Sequence, residues 1–395
     1  TRLSGYMFEN ALTAGLTSAG MNVLLLGPVP TPAVGLLTNS MRADLGIMIS
    51  ASHNEHNDNG IKFFGPDGYK LSDSVEVEIE ALVSKGVDCV SPENIGRAKR
   101  IDDGRYRYIE RVKSSFPNQM RLDGLKVVID CANGAGYRAA PEVLWELGAE
   151  VVPVGVSPDG RNINLECGST SPRIAAETVV AHGADVAICL DGDADRVLVI
   201  DEQGCPIDGD HFLGMIGSRW IKEDILIKNT LVATVMSNMH LETFLNREGI
   251  KLIRTAVGDR YVVEQMRLNG FNLGGEKSGH VVMTDYSTTG DGLMAGLQFL
   301  AEMVRRGEPA SVVGRPFDLA PQKTENIIYA SEKNPLDNPS VKKMISESEK
   351  KISGLGRLLV RKSGTERLIR IMVEAEDISI IDATISSISN AIKEL

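Results

Sequence analysis

Four polar loops carry the residues that can do chemistry. In SASHNEHNDNGIKFF (50–64), Ser52 stands beside His53, with Lys62 further along: a hydroxyl nucleophile with basic groups suited to an anion. A polar turn has the same composition, and spacing alone leaves both readings open. In DGDADR (191–196), Asp191, Asp193 and Asp195 alternate so that their carboxylates can converge on one hard divalent cation, with Arg196 free to face a phosphate. The string DGDADRVLVIDE also mimics a Ca²⁺ loop, including Glu202 at its last position. Arg196, however, occupies the site that needs glycine, and VLVI continues as a strand. Taken alone, the acidic loop would equally suit a Mg²⁺-dependent phosphatase that forms an aspartyl phosphate at Asp191. In GGEKSGH (274–280), glycines permit close backbone approach while Glu276, Ser278 and His280 offer an acceptor, a hydroxyl and a titratable ring, a set suited to sugar hydroxyls. In RKSGTER (361–367), Arg361, the backbone around Gly364 and the hydroxyls of Ser363 and Thr365, with Arg370 just beyond, can cradle a phosphate; a charged hairpin turn is the plain alternative.

These loops need rigid elements behind them. The serine loop follows the apolar run LGIMI (45–49) and the acidic loop follows VAICL (186–190), strand ends of the kind at which α/β proteins place ligands. One pattern recurs three times: helix-spaced apolar residues, a glycine, then an apolar strand ending in glycine. The copies are Phe8/Leu12/Leu16 before NVLLLG (22–27), Val143/Leu144/Leu147 before AEVVPVG (149–155), and Leu241/Phe244/Leu245 before IKLIRTAVG (250–258). VEVEIE (75–80) alternates like a strand, but Val75, Ile79, Leu82 and Val83 share a helical face, and a helix is expected. The tail reads as strands GRLLVR (356–361) and LIRIMVE (368–374), then a helix with Ile381, Ile385, Ile388 and Ile392 on one side. The expected fold is α/β: three similar α/β domains with mixed sheets, at 1–105, 106–206 and 207–321, and a smaller C-terminal α+β domain at 322–395, around a central cleft.

Composition removes several function classes. The 395 residues include 39 glycines and 16 prolines without a collagen period, and 43% hydrophobic residues are enough for real cores. Forty-two Lys and Arg against 53 Asp and Glu leave a net charge of −11, which argues against a nucleic-acid or anionic-membrane partner. The uncharged stretch from Asn10 to Met41 is broken by Gly27, Pro28, Pro30, Pro32 and Gly35, so it does not read as a membrane span. Five scattered cysteines without a CxxC pair favour a reducing cytoplasm and no cysteine-based zinc site. GAGYRA (134–139) matches a dinucleotide fingerprint, but the next strand ends in VPVG with no acidic residue for a ribose, so no nicotinamide site is expected. His56, His182, His211 and His240 lack metal-ligand spacing.

Taken in order, SASHN, DGDADR, GGEKSGH and RKSGTER resemble the α-D-phosphohexomutase superfamily, and the match spans nearly the whole chain. TAVGDRYV (255–262) and STTGDG (287–292) are similar to the branch that interconverts glucosamine 6-phosphate and glucosamine 1-phosphate, on the route to UDP-N-acetylglucosamine and cell-wall precursors. Phosphomannomutase or phosphoglucomutase activity is the alternative within the superfamily, and a sugar-phosphate binder without turnover the alternative outside enzymes. The resemblance implies a phosphorylated Ser52 that donates and recovers a phosphoryl group, and one Mg²⁺ held by Asp191, Asp193, Asp195 and that phosphoserine. It implies that His53, Lys62 and Arg196 steady the moving phosphoryl, with Lys62 and His280 the candidates for proton transfer. Glu276 and Ser278 would grip sugar hydroxyls, Arg2 would serve the substrate side, and Arg361, Ser363, Gly364, Thr365 and Arg370 would hold the unreacting phosphate. A bisphosphorylated sugar is the implied activator, a sugar phosphate the partner, and a homodimer the possible assembly. The family opens on a strand bearing FGTDGIRG, which the resemblance places before Thr1. Glu55, Lys277 and Arg367 depart from the family's usual Pro, Gln and Pro, each beside a functional residue.

Overall fold

The computed structural model describes residues 1–86, 88–329, 334–362 and 367–393. Thr1–Thr234 with Ile253–Pro316 forms one compact unit, and Val235–Leu252 with Phe317–Leu395 a second.

In the first unit, each repeated pattern becomes a helix and a strand: Leu3–Ser18 and Val23–Leu25, then Ala139–Glu146 and Glu150–Val154. The prolines of the uncharged stretch do local work. Pro30 precedes the helix Thr31–Ser40 and Pro32 lies in its first turn, where a missing N–H costs nothing. Gly46–Ile49 pairs antiparallel with Ile61–Phe64, in a register that sets Met48 opposite Lys62. The serine loop is therefore the connection of a hairpin, and Lys62 returns beside the strand that leads into it. A separate parallel pair joins Val23–Leu25 to Ala98–Arg100. VEVEIE lies within the helix Asp73–Val83.

The largest sheet runs Glu150–Val154, Lys126–Asp130, Val186–Leu190, Val197–Asp201, Pro206–Ile207, with the first three strands parallel and the last two antiparallel. Val186–Leu190 is buried at every residue, which is why it reads as an unbroken apolar run and not as an alternation. The acidic loop turns the chain from this strand into Val197–Asp201. A third sheet pairs Thr230–Thr234 in parallel with Leu273–Gly275, which pairs antiparallel with Val281–Met283; the GGEKSGH loop bridges that last pair. Gly292–Arg306, capped by the Asp291 carboxylate, packs on Val186–Leu190 and Val197–Asp201 of the largest sheet with most of its length buried.

In the second unit, Leu368–Ala375 is the middle strand of an antiparallel sheet between Gln322–Ile328 and Gly356–Lys362. Ile378–Lys393 lays Ile381, Ile385, Ile388 and Ile392 into that unit's core, the face the sequence periodicity marked. All five cysteines are unpaired, and among the described residues no helix is long and apolar enough to cross a membrane.

Candidate active site

Ser52 sits at the turn of its hairpin with φ 51°. That left-handed conformation costs a non-glycine residue roughly 1–2 kcal/mol and persists only where surroundings enforce it. The surroundings are on hand. The Ser52 N–H donates to Ser50 Oγ at 3.0 Å, and its carbonyl accepts from Arg2 Nη2 at 3.2 Å and Asn164 Nδ2 at 3.0 Å. Thus held, the Ser52 hydroxyl donates to Asp191 Oδ2 at 2.7 Å.

The three aspartates of DGDADR are buried, with exposures of 0%, 0% and 3%, and can offer ligand oxygens all within 4.8 Å of one another. Lys62 Nζ bridges two of them, at 2.5 Å from Asp193 and 3.4 Å from Asp195. Thr31 donates its hydroxyl to Asp193 at 2.9 Å. Burial, then crowding by Asp193 and Asp195, pushes the Asp191 carboxyl well above the usual range. Burial acts the same way on Asp193, but Lys62 and Thr31 overcome it and hold that carboxyl low. Burial opposes the charge of Lys62 too, and the aspartates overcome it, so Lys62 stays cationic. The buried Asp193 Oδ1 and Asp195 Oδ1 have no hydrogen-bond partner. Two orphaned carboxylate oxygens among three converging acids, against a single lysine, are a hard-oxygen donor set that fits a divalent cation such as Mg²⁺.

Close packing joins the loops. A Cβ on Gly192 would meet Asn164 Nδ2 and the Ser52 carbonyl oxygen, each at 2.6 Å, so glycine in the acidic loop lets the serine loop settle on it. Gly279 has φ 86°, and a Cβ there would stand 1.9 Å from the Val197 carbonyl oxygen, onto which the GGEKSGH loop docks; Val197 N–H returns a hydrogen bond to Gly279 O at 3.0 Å. That docking brings His280 up behind the acids, with Nδ1 at 3.8 Å from Asp195 and Nε2 at 3.6 Å from Asp259. Gly290 N–H donates to His280 Nε2 at 3.1 Å, which leaves Nδ1 to carry the proton of the neutral ring. Burial lowers the ring's proton affinity, against Asp195 and Asp259.

Among the sequence candidates, Ser52, Lys62, Arg196, His280 and the three aspartates therefore meet. Arg196 donates its backbone N–H to Asp191 Oδ1 at 3.2 Å, and its buried Nε has no partner. His53 is exposed on the serine loop, its proton affinity lowered by partial burial and by the charges of Arg196 and Lys62. Glu276 accepts from Gly258 N–H at 3.1 Å and from Ser278 Oγ at 3.5 Å. Arg2 is buried, and its guanidinium donates to the Ser50 hydroxyl and to the carbonyls of Ser52, Asn54 and Glu55. In the second unit, Arg361 and Arg370 are directly opposed across two strands. Burial and the charge of Arg370 lower the proton affinity of Arg361, whose buried Nε has no partner. Like charges directly opposite each other destabilise a sheet. Ser363, Gly364 and Thr365 lie outside the described residues.

Sequence reasoning passed over Thr31, Asn164, Lys70 and Asp259. Lys70 pairs with Asp259, which itself faces His280. Only Asp259 had a signal, as part of TAVGDRYV. The GAGYRA turn supports the acidic loop: Ala135 N–H donates to Gly192 O at 2.8 Å, and a Cβ on Gly134 would stand 2.3 Å from that same oxygen.

Family models for phosphoglucomutase/phosphomannomutase match in four consecutive segments: α/β/α domain I over residues 1–88, domain II over 106–204, domain III over 208–316 and the C-terminal domain over 325–390. The chain is 67% identical over 393 residues to a phosphoglucosamine mutase of Ruegeria sp. (strain TM1040), and 67% identical over 394 residues to that of Roseobacter denitrificans. In both comparisons all of this chain aligns with 88% of the relative. A phosphoglucomutase/phosphomannomutase family protein from Burkholderia thailandensis superposes with a TM-score of 0.83 at 23% identity, covering 100% of this chain and 87% of that one. An N-acetylphosphoglucosamine mutase of Aspergillus fumigatus, solved with GlcNAc-6P and magnesium, superposes with a TM-score of 0.68 at 19% identity, over 92% of each chain.

Proposed function

The chain belongs to the phosphoglucomutase/phosphomannomutase family and within it to the phosphoglucosamine mutases, isomerases of amino-sugar phosphates, and from that premise we propose how its residues carry the reaction. The observation that supports the reading most strongly is the 2.7 Å hydrogen bond from Ser52 Oγ to Asp191 inside a buried acidic triad.

Ser52 is the phosphoryl carrier. It gives its phosphoryl group to O1 or O6 of the bound sugar phosphate, leaving a bisphosphorylated sugar, and takes the other phosphoryl back once the sugar has turned over. Asp191, Asp193 and Asp195 hold one Mg²⁺ ion, which neutralises charge on the phosphoryl oxygens when bound. Lys62, kept cationic, pins Asp193 and Asp195 and adds a fixed positive charge on the same side. Arg196, with its unpartnered Nε, stabilises the equatorial oxygens of the moving group, and His53 borders it. His280, whose Nε2 is held by Gly290 N–H, keeps Nδ1 for the proton that moves with the sugar hydroxyl. Glu276 and Ser278 take sugar hydroxyls, while Arg361 and Arg370, with Ser363, Gly364 and Thr365, take the phosphate that is not reacting. Arg2 serves the substrate side by holding the serine loop.

The same reading divides the chain into the serine, metal, sugar and phosphate domains at the boundaries given above. It makes glucose or glucosamine 1,6-bisphosphate the activator that first phosphorylates Ser52, and it puts the protein in the cytoplasm as a homodimer. Sedimentation velocity tests the assembly. Incubating the purified protein with Mg²⁺, glucosamine 1-phosphate and a trace of glucose 1,6-bisphosphate yields glucosamine 6-phosphate on this reading. Preferential turnover of glucose or mannose phosphates would overturn the amino-sugar assignment.

A further inference from the structure

Most of the serine loop is exposed from His53 to Asp58 and carries no ladder partner of its own, so side chains must set its shape. Two do so from outside the hairpin. Arg2 Nη2 and Asn164 Nδ2 grip the same two carbonyls, those of Ser52 and Asn54, with Asn164 at 3.0 and 2.8 Å. Arg2 opens the helix Leu3–Ser18, whereas Asn164 stands on the connection between Glu150–Val154 and Arg173–His182. That connection belongs to the sheet whose central strand ends in DGDADR, and the Asn164 N–H is fixed to Ala132 O at 2.9 Å. Asn164 thus ties the nucleophile's backbone to the body that holds the aspartates. The contact with Gly192 leaves no slack between them.

We infer that Asn164 is a positioning residue for phosphoryl transfer, holding Ser52 in its left-handed conformation so that Oγ meets the acidic triad; this rests on the proposed role of Ser52. Asn164 is 7% exposed, and both of its observed donor bonds run to the loop, so its influence reaches the reaction through Ser52 and not through the sugar.

Its backbone supplies a clean test. With φ 58°, the position tolerates glycine and aspartate as well as asparagine. Asn164→Gly removes the donors without strain, and Asn164→Asp sets a carboxylate against two carbonyl oxygens while keeping shape. A misplaced nucleophile costs on the order of 100-fold in rate. Both variants therefore lose about that factor in kcat and in the rate at which glucose 1,6-bisphosphate phosphorylates Ser52, while KM for glucosamine 1-phosphate stays within about twofold. If the aspartate variant does not fold, the glycine variant decides. Unchanged kcat in folded Asn164→Gly, or a raised KM with kcat intact, overturns the inference. Wild-type protein that takes no phosphate on Ser52 overturns the functional reading as well, whereas a phosphorylated wild type with unimpaired variants removes this inference alone.

Discussion

Lys62 Nζ lies 2.5 Å from Asp193 Oδ2 in a site where Asp193 is wholly buried and the lysine side chain is 22% exposed. The pair couples the serine hairpin to the acidic loop by charge. Removing one partner of such a buried pair leaves an uncompensated charge and costs about 3–5 kcal/mol. Lys62→Gln is therefore expected to lower the thermal midpoint strongly without divalent ions, and Mg²⁺ should restore much of the loss, because it neutralises the same acids. Differential scanning calorimetry with and without Mg²⁺ checks this; a loss that Mg²⁺ leaves untouched would mean that the lysine and the metal do not share the aspartates.

Metal binding can be separated from activity. Asp193→Asn and Asp195→Asn each remove one charge from the converging set and should weaken Mg²⁺ binding by at least about tenfold, since hard cations depend on ligand charge. Isothermal titration of the metal-free protein measures it directly. Chelation of the wild type should abolish turnover, with recovery on adding Mg²⁺.

Arg361 and Arg370 oppose each other across the strands Gly356–Lys362 and Leu368–Ala375. A charged hydrogen bond to phosphate is worth about 1.5–3 kcal/mol, so Arg361→Gln should raise KM for the sugar phosphate roughly 10–100-fold. The same change relieves like-charge repulsion, and the ligand-free thermal midpoint should hold or rise. A fall in both substrate affinity and stability would point to a structural arginine.

Asp291, which is not one of the three converging aspartates, supplies a pH signature of its own. Its carboxylate caps Gly292–Arg306 through Leu293 and Met294 N–H and accepts from Tyr108 Oη, while burial pushes its pKa up to about 7. A carboxyl that holds its proton more tightly when folded stabilises the protein most at low pH. That contribution fades as pH rises from about 4 through 7, by roughly 4 kcal/mol at most at 1.36 kcal/mol per unit. Asn at this position keeps an acceptor for the cap and never ionises. Asp291→Asn should therefore gain stability relative to wild type between pH 5 and about 8, read as a difference in urea midpoints; a pH-independent difference would contradict the assignment.

The parts of this site legible in the sequence were those where a polar loop interrupts an apolar strand. VAICL ending at DGDADR and LGIMI ending at SASHN are local signals, and the C-terminal isoleucine spacing fixed one helix face for the same reason. What stayed hidden depends on residues far apart in the chain. Asn164 meets a carbonyl 112 positions away, and Thr31 meets an aspartate 162 positions away. Neither lies in a motif, and no periodicity encodes a hydrogen bond across two sheets. Arg2 was visible as a charge, but only the structure shows that it is buried and gives four hydrogen bonds to the serine loop.

Ser52 is proposed above as the phosphoryl carrier. Phosphopeptide mapping of protein incubated with glucose 1,6-bisphosphate and Mg²⁺, then with excess glucosamine 1-phosphate, tests it most directly. One phosphoryl group is expected on the peptide containing Ser52, discharged by the second sugar and absent from Ser52→Ala. An aspartyl phosphate at Asp191, or turnover with Ser52 never modified, would contradict it.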